Sequence, residues 1–213
     1  MSEDTGEFVF SDTGQMFDAS DLAERSIFDS GPPSFEVSPP QASYDDVLMD
    51  GIAPPTAFNV ITSHVGERDG RPHEGLDIRA REGTPIMSFR GGIVREVQRD
   101  FQRGKGPGKF VVIESPDTGE LFKYFHLSDI DDDIEVGTEL ATGESFARAG
   151  NTGRSFGSHL HFEIHTQDEA GEYQPRSPIE LYPDHFKNYI DKQTNKPVNI
   201  ESILKQHTRT HSH

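Results

Sequence analysis

Two short runs of the chain carry pairs of metal-binding side chains at even spacing. One pair is His73 and Asp77 in the run HEGLD, and the other is His159 and His161 on either side of Leu160. In a β-strand, residues an even number apart point to the same face, so each pair can converge on one side of a sheet. Catalytic zinc takes three protein ligands plus a water, and it accepts histidine and carboxylate. Two such pairs brought together would provide three zinc ligands and leave one donor for acid–base work.

A third candidate is His126, in the run YFHL. Strict alternation along this strand-like segment predicts that His126 shares a face with Tyr124. Taken alone, each of these short patterns belongs more often to a histidine that is hydrogen-bonded in a core or at a surface than to a metal ligand. Their order along the chain and their surroundings therefore have to decide between a metal site and a structural role.

The segment that must position these side chains, residues 59–186, has the pattern of a β-rich domain. Short apolar stretches rich in β-branched and aromatic residues recur between turn signals such as Asp117–Gly119. No segment in this range sustains a 3.6-residue apolar repeat. The predicted fold class is therefore mainly β, with an antiparallel, sandwich-like domain over residues 59–186.

The two flanking segments differ from this domain in composition. Residues 1–58 contain 12 acidic residues, one basic residue (Arg25), three Pro-Pro pairs and five phenylalanines between positions 8 and 35. The composition is typical of an extended segment that is disordered in isolation, whereas the spaced phenylalanines favour a segment that docks on a partner. Residues 187–213 are predicted to form a C-terminal tail with one short helix over Val198–Gln206, capped at Asn199.

Charge and composition exclude several classes of partner and site. A formal net charge of −17 argues against nucleic acid and against an anionic membrane surface as partners. The absence of cysteine excludes disulfides and cysteine-ligated zinc, so any metal site must use histidine and carboxylate. No run approaches the ~18 apolar residues of a membrane span, and the acidic N-terminus lacks the apolar core expected of a secretory signal.

From Ile61 to Pro183 the sequence resembles the lysostaphin-type zinc metalloendopeptidases, which cut peptidoglycan cross-links. The resemblance rests on three blocks in the family's order: HEGLDI (His73–Ile78), KYFHLSDI (Lys123–Ile130) and AGNTGRSFGSHLHFEI (Ala149–Ile164). It covers more than half of the 213 residues. This match is far more specific than any of the histidine pairs alone.

The resemblance implies that His73, Asp77 and His161 are the zinc ligands and that His126 and His159 are the catalytic histidines. It further implies one zinc ion (Zn2+) per active site and peptidoglycan stem peptides as the substrate. Which of the two catalytic histidines is the general base stays open. Because zinc ligation requires neutral imidazoles, activity should fall at acid pH.

Four features stand apart from this implied site. The tyrosine found upstream of the first ligand in some family members is absent from Gly66–Pro72, and Asp131–Asp133 is interpreted as a solvated or cation-binding turn. Glu163 and His165 continue the strand face of His161 and are predicted to be outer partners or rim residues rather than extra ligands. Arg68 is predicted to pair either with a substrate carboxylate or with the neighbourhood of Asp77.

Two other functions compete with an active endopeptidase. One is a non-catalytic structural or cell-wall-binding protein that retains the peptidase scaffold, although no implied ligand is missing here. The other is a swivelling domain of the biotinyl or lipoyl kind, which would leave the histidines unused. For delivery to the wall, the hypothesis is carriage on a particle such as a phage tail, docked through residues 1–58. The alternative is cytoplasmic synthesis followed by release through a membrane pore.

Overall fold

A computed structural model describes residues 8–10, 16–18, 51–68 and 70–210 of the chain. The chain divides into two units, residues 1–41 and residues 42–213. In the first unit, the described residues form an antiparallel pair of strands, β1 (Phe8–Phe10) and β2 (Met16–Asp18). The rest of residues 1–50, and with it most of the predicted acidic segment, lies outside the described residues.

The described residues of the second unit form short strands and three helices. The strands are β3 (Val60–Ser63), β4 (Gly66–Arg68), β5 (Arg71–His73), β6 (Leu76–Arg79), β7 (Pro85–Met87), β8 (Gly92–Gln98), β9 (Lys109–Glu114), β10 (Leu121–Ile130), β11 (Glu139–Leu140), β12 (Ser145–Ala149), β13 (His159–Gln167), β14 (Tyr173–Arg176), β15 (Ile190–Asp191) and β16 (Lys196–Pro197). The helices are α1 (Pro178–Leu181), α2 (Pro183–Phe186) and α3 (Ile200–Thr210).

Within the described residues, twelve of these strands join one sheet, in the order β11-β8-β9-β10-β13-β6-β3-β15-β16. Strand β12 pairs with β10 and β7, β14 pairs with β13, and β4 and β5 form a separate hairpin. All pairs are antiparallel except β15 with β3. The prediction of a mainly β fold with antiparallel pairing is confirmed.

Strand β13 separates the core of the domain from its polar face. Leu160, Phe162 and Ile164 are fully buried, and the Phe162 ring contacts the aromatic rings of β10 and of the segment after β7. The alternate residues, from His159 to His165, point to the opposite face. Burial of the apolar face thus fixes the register of β13 and with it the direction of four polar side chains.

The domain extends beyond residues 59–186 at both ends. Residues 51–58, which the sequence placed with the N-terminal segment, pack on it: the Ala53 N–H donates to the carbonyl of Phe89, and Ile52 is buried. At the other end, the Ser202 N–H donates to Oδ1 of Asn199 at 3.0 Å, which confirms the predicted cap. Among the described residues, no helix combines the length and the apolar composition that a membrane crossing needs.

Candidate metal centre

Pairing of β6 with β13 brings the two halves of the predicted metal site together. Asp77 lies directly opposite His161 in the antiparallel register, and His73 ends the strand that precedes β6. Nε2 of His73 is 3.0 Å from Oδ1 of Asp77, and Nδ1 of His161 is 2.8 Å from the same oxygen. All three ligand atoms lie within 4.8 Å of one another. A ligand set of two imidazole nitrogens and one carboxylate oxygen has the composition of a catalytic zinc site.

Each of the two imidazoles is held through its other nitrogen. The Nδ1–H of His73 donates to the carbonyl of His64 at 2.7 Å, and the Nε2–H of His161 donates to Oε1 of Glu163 at 2.8 Å. These bonds leave His73 Nε2 and His161 Nδ1 facing the centre of the cluster. Such outer partners fix both the tautomer and the ring orientation of a metal-ligating histidine.

His159 lies beside this cluster with both nitrogens facing oxygens. Its Nε2 is 3.4 Å from Oδ1 of Asp77, and its Nδ1 is 2.8 Å from the carbonyl of Gly157 and 3.3 Å from Oγ of Ser155. The loop immediately before β13 therefore sets the ring plane of His159. An imidazole between a carbonyl and a carboxylate is well placed to hold a proton, because both neighbouring oxygens accept from N–H groups.

His126 reaches the same site through a break in strand β10. Its ring centroid is 5.0 Å from that of His159 and 5.9 Å from that of His161, and its Nδ1–H donates to the carbonyl of Thr152 at 2.9 Å. Its φ is +62°, in the left-handed region, and the register of β10 against β9 shifts between Tyr124 and Leu127. The bulge rotates His126 out of the regular alternation.

The prediction that His126 shares a face with Tyr124 is therefore wrong. Tyr124 is fully buried, and its ring contacts Phe146 and Phe162 in the core, whereas the His126 ring contacts the imidazoles of the site. The backbone of a non-glycine residue at positive φ is strained, and such residues tend to occur at functional sites.

Close packing of these groups shifts their pKa values. Burial alone would raise the pKa of Asp77, but hydrogen bonds from His159, His161 and His73 hold it well below its ordinary value. Burial alone would lower the pKa of His161, yet its bonds to Asp77 and Glu163 raise it to about 9. The cluster thus has a strong preference for positive charge, supplied here by a proton.

The pKa of His126 shifts in the opposite direction. Burial, followed by the repulsion that a protonated His159 would exert on a charged His126, lowers it to about 4. His126 is therefore neutral at physiological pH. With Nδ1–H bonded to the Thr152 carbonyl, the Nε2 atom carries the lone pair.

Three further residues singled out in the sequence lie at the cluster or directly behind it. Nη1 of Arg68 donates to Oδ2 of Asp77 at 2.6 Å, so the structure contains the ion pair with Asp77 rather than a free arginine. Glu163 and His165 are the outer partners expected on the face of His161, joined by a 2.7 Å bond. The Asp131–Asp133 turn contributes no residue to the metal-binding groups found among the described residues. Its backbone instead binds the Arg99 guanidinium.

An open cleft of about 490 Å³ borders the cluster. It is lined by the β4–β5 hairpin, by His73 and Glu74, and by Pro175 at the end of β14. Of the cluster, His73 is the residue that lines this cleft. The arrangement can hold a metal ion with two further imidazoles beside it.

The domain that carries this cluster is similar in sequence to known proteins. A family model described as peptidase family M23 matches residues 71–173. An uncharacterized metalloprotease of Haemophilus influenzae is 36% identical over 102 residues, which is 47% of this chain and 20% of the relative. The peptidoglycan DD-endopeptidase ShyA of Vibrio cholerae is 33% identical over 93 residues, 44% of this chain and 20% of ShyA. The chain thus spans about a fifth of the length of these two relatives.

Similarity among solved structures supports the fold. The antimicrobial peptidase lysostaphin from Staphylococcus simulans aligns with 66% of this chain and 55% of its own, at a TM-score of 0.50 and 21% identity.

Proposed function

The chain belongs to peptidase family M23 through residues 71–173, and on that premise we propose that it is a zinc-dependent endopeptidase that hydrolyses peptide cross-links of bacterial peptidoglycan. The observation that carries the proposal is the convergence of His73 Nε2, Asp77 Oδ1 and His161 Nδ1 within 4.8 Å. Both imidazoles are already oriented by partners on their outer nitrogens. A structural or wall-binding protein without turnover would not need this arrangement.

These three residues would hold the zinc ion. When bound, zinc would act as a Lewis acid that polarises the scissile carbonyl and lowers the pKa of a water. Asp77 contributes its charge through Oδ1, while Arg68 occupies Oδ2. Binding of zinc would displace the proton that His161 otherwise holds, since a ligating imidazole must be neutral.

His159 is suited to accept the proton of the attacking water. Proton uptake at Nε2 produces an imidazolium, and its two N–H groups then face the carbonyl of Gly157 and the carboxylate of Asp77. Both acceptors keep the ring oriented while the proton is transferred. The same Nε2 can return the proton to the leaving amine, as general acid catalysis requires.

His126 is suited to a different role, because burial keeps it neutral. Its Nδ1–H is committed to the Thr152 carbonyl, so Nε2 acts as an acceptor. An acceptor fixed at that position orients the O–H bond of a water without itself becoming charged. We therefore assign proton transfer to His159 and orientation of the water to His126.

Support for peptidoglycan as the substrate comes from the relatives and from the shape of the site. ShyA is named a peptidoglycan DD-endopeptidase and is 33% identical over the aligned residues. The cleft beside His73 is open along the β4–β5 hairpin, which suits a peptide that is part of a larger network. The proposed substrate class therefore rests on the relatives.

Zinc analysis together with peptidoglycan digestion tests the proposal. The wild-type protein should bind one zinc per chain and release soluble fragments whose masses correspond to cut cross-links. His161→Ala should lose most of both properties, while His159→Ala should retain zinc and lose ~100-fold or more of kcat. Equal zinc content and equal products for wild type and His161→Ala would refute the assignment.

For delivery, we propose that the acidic segment, of which residues 51–58 pack on the domain, docks the enzyme through residues 1–50 on a particle such as a phage tail. Support comes from their composition, with 12 acidic residues and phenylalanines spread between positions 8 and 35. A protein lacking residues 1–50 should then hydrolyse peptidoglycan normally and fail to associate with the particle. Retained association, or loss of hydrolysis in the truncated protein, would contradict this part of the proposal.

A further inference from the structure

Glu163 is a buried carboxylate placed directly behind a metal-binding imidazole. It occupies the strand position between His161 and His165 on one face of β13, and 8% of its surface is exposed. Lys123 lies opposite it on β10 in the register. A buried carboxylate is costly unless its oxygens have hydrogen-bond donors. Its partners therefore indicate what it does.

Both oxygens of Glu163 have an imidazole donor. The Nε2–H of His161 donates to Oε1 at 2.8 Å, and the Nε2–H of His165 donates to Oε2 at 2.7 Å. The second bond is buried and prevents the carboxylate from rotating away from the first. Glu163 thus fixes which nitrogen of His161 carries the proton, and His165 fixes Glu163.

Gly75 lies so close to the Glu163 and His161 side chains that a larger residue would not fit there. A Cβ atom at position 75 would lie 2.8 Å from Cγ of Glu163, 3.0 Å from Nε2 of His161 and 2.5 Å from the carbonyl oxygen of Phe162. The glycine of the HEGLD run is therefore needed for close approach. The first metal-binding run and the outer partner of the third ligand are built against one another.

We infer that Glu163 and His165 form a positioning pair that holds Nδ1 of His161 toward the bound metal and raises the affinity of the site for zinc. The inference deepens the proposed function and rests on it. Glu163 acts through His161, and His165 acts through Glu163.

The test measures zinc affinity by competition with a chelator and records the visible spectrum of the cobalt-substituted protein. Glu163→Gln keeps the shape of the side chain, but an amide presents only one acceptor oxygen to two N–H donors. Its zinc Kd should rise 10- to 100-fold, the loss typical of removing an outer partner of a metal ligand. The cobalt absorption bands should also shift, because the orientation of His161 changes. His165→Phe leaves the bond to His161 in place and should raise Kd by a smaller factor.

A matched control is Glu120→Gln. Glu120 is a carboxylate of comparable burial that accepts from the Tyr182 hydroxyl and contacts none of the metal-binding residues. This variant should lower the thermal midpoint without changing zinc Kd or the cobalt spectrum. If Glu163→Gln does not fold, His165→Phe carries the test by the same two readouts.

Three outcomes would overturn the inference. Wild-type zinc Kd and cobalt bands in both Glu163→Gln and His165→Phe would show that the pair positions nothing. A second zinc equivalent that disappears in His165→Phe would make the pair a ligand set instead. A wild-type protein that binds no zinc would refute the proposed function itself, and the inference with it.

Discussion

Arg68 donates from Nη1 to Oδ2 of Asp77 at 2.6 Å, while Oδ1 of the same carboxylate faces His73 and His161. The two oxygens of Asp77 therefore have separate tasks. The Arg68 side chain is 52% exposed, so the ion pair adds little to the free energy of unfolding. Its effect is on the orientation of Asp77, and through it on the geometry of the site.

Replacing Arg68 by glutamine should lower kcat/KM by about 10-fold at saturating zinc, because the Asp77 carboxylate becomes free to rotate. Steady-state hydrolysis of a peptidoglycan fragment measures this. Arg95→Gln is the matched control, since it breaks an ion pair of similar exposure, with Glu114, away from the site. Equal kcat/KM for the Arg68 and Arg95 variants would contradict the role given to Arg68.

Thr152 supports His126 on two sides, which leads to a second prediction. Its hydroxyl donates to the carbonyl of Leu127 at 2.7 Å and accepts from the Lys109 N–H at 3.0 Å, while its own carbonyl accepts from His126. Thr152→Val leaves two backbone groups without partners and should lower the free energy of unfolding by about 1–3 kcal/mol. Because the loop carbonyl shifts, kcat should fall by about 10-fold or more.

Thr152→Ser retains the hydroxyl and should restore both quantities to near wild-type values. Urea unfolding and single-turnover hydrolysis measure the two effects. A serine variant as impaired as the valine variant would show that the methyl group matters, not the hydrogen bonds.

The residue pattern alone predicted the part of the site that depends on regular strand geometry. The even spacing of His159 and His161 places both on one face of β13, and Asp77 lies directly opposite His161. Strand alternation is a local property, and burial of Leu160 and Phe162 on the other face enforces it. The cap at Asn199 was predictable for the same reason, because it depends on residues within one turn.

The rest of the site depends on long-range contacts that no local pattern reports. The bulge at His126 arises where β10 shifts register against β9, with the His126 N–H donating to the carbonyl of Pro107. Similarly, Arg68 meets Asp77 only because the β4–β5 hairpin folds over the start of β6. The packing of residues 51–58 on the domain was also missed, since their Pro54-Pro55 pair resembles the Pro-Pro pairs of the acidic segment before them.

The third prediction concerns the stability of a variant at Gly75, where neighbouring atoms leave no room for a side chain. Gly75→Ala places a Cβ 2.5 Å from a backbone oxygen that cannot move freely, so the free energy of unfolding should fall by about 1–3 kcal/mol. Gly157→Ala is the control, because no atom lies within 4 Å of the position that a Cβ would take there and its φ is not in the left-handed region. Both changes restrict the unfolded chain equally. Similar unfolding curves for the two variants would contradict the role of close approach at Gly75.

His185 gives a prediction about pH that is independent of the metal site. Its ring lies 5.0 Å from the ring of Phe89 and 4.9 Å from that of Phe186, and burial lowers its pKa from 6.5 to about 4. Above pH 6.5 the imidazole is neutral in both the folded and the unfolded chain, so it adds no pH dependence. Between pH 6.5 and 4 the unfolded chain binds a proton that the folded chain does not, and stability falls as the pH falls.

The loss attributable to His185 should approach about 3 kcal/mol near pH 4, as an upper limit set by the size of the pKa shift. His185→Phe removes the titrating group and keeps an aromatic ring against Phe89. The free energy of unfolding should therefore decrease less between pH 7 and pH 4.5 in this variant than in the wild type. Urea unfolding of both proteins at the two pH values measures the difference. Because the carboxylates and other histidines titrate alike in both proteins, only the contribution of position 185 remains in the comparison. An identical decrease in unfolding free energy for the two proteins would mean that His185 is protonated in the folded state as easily as in the unfolded chain.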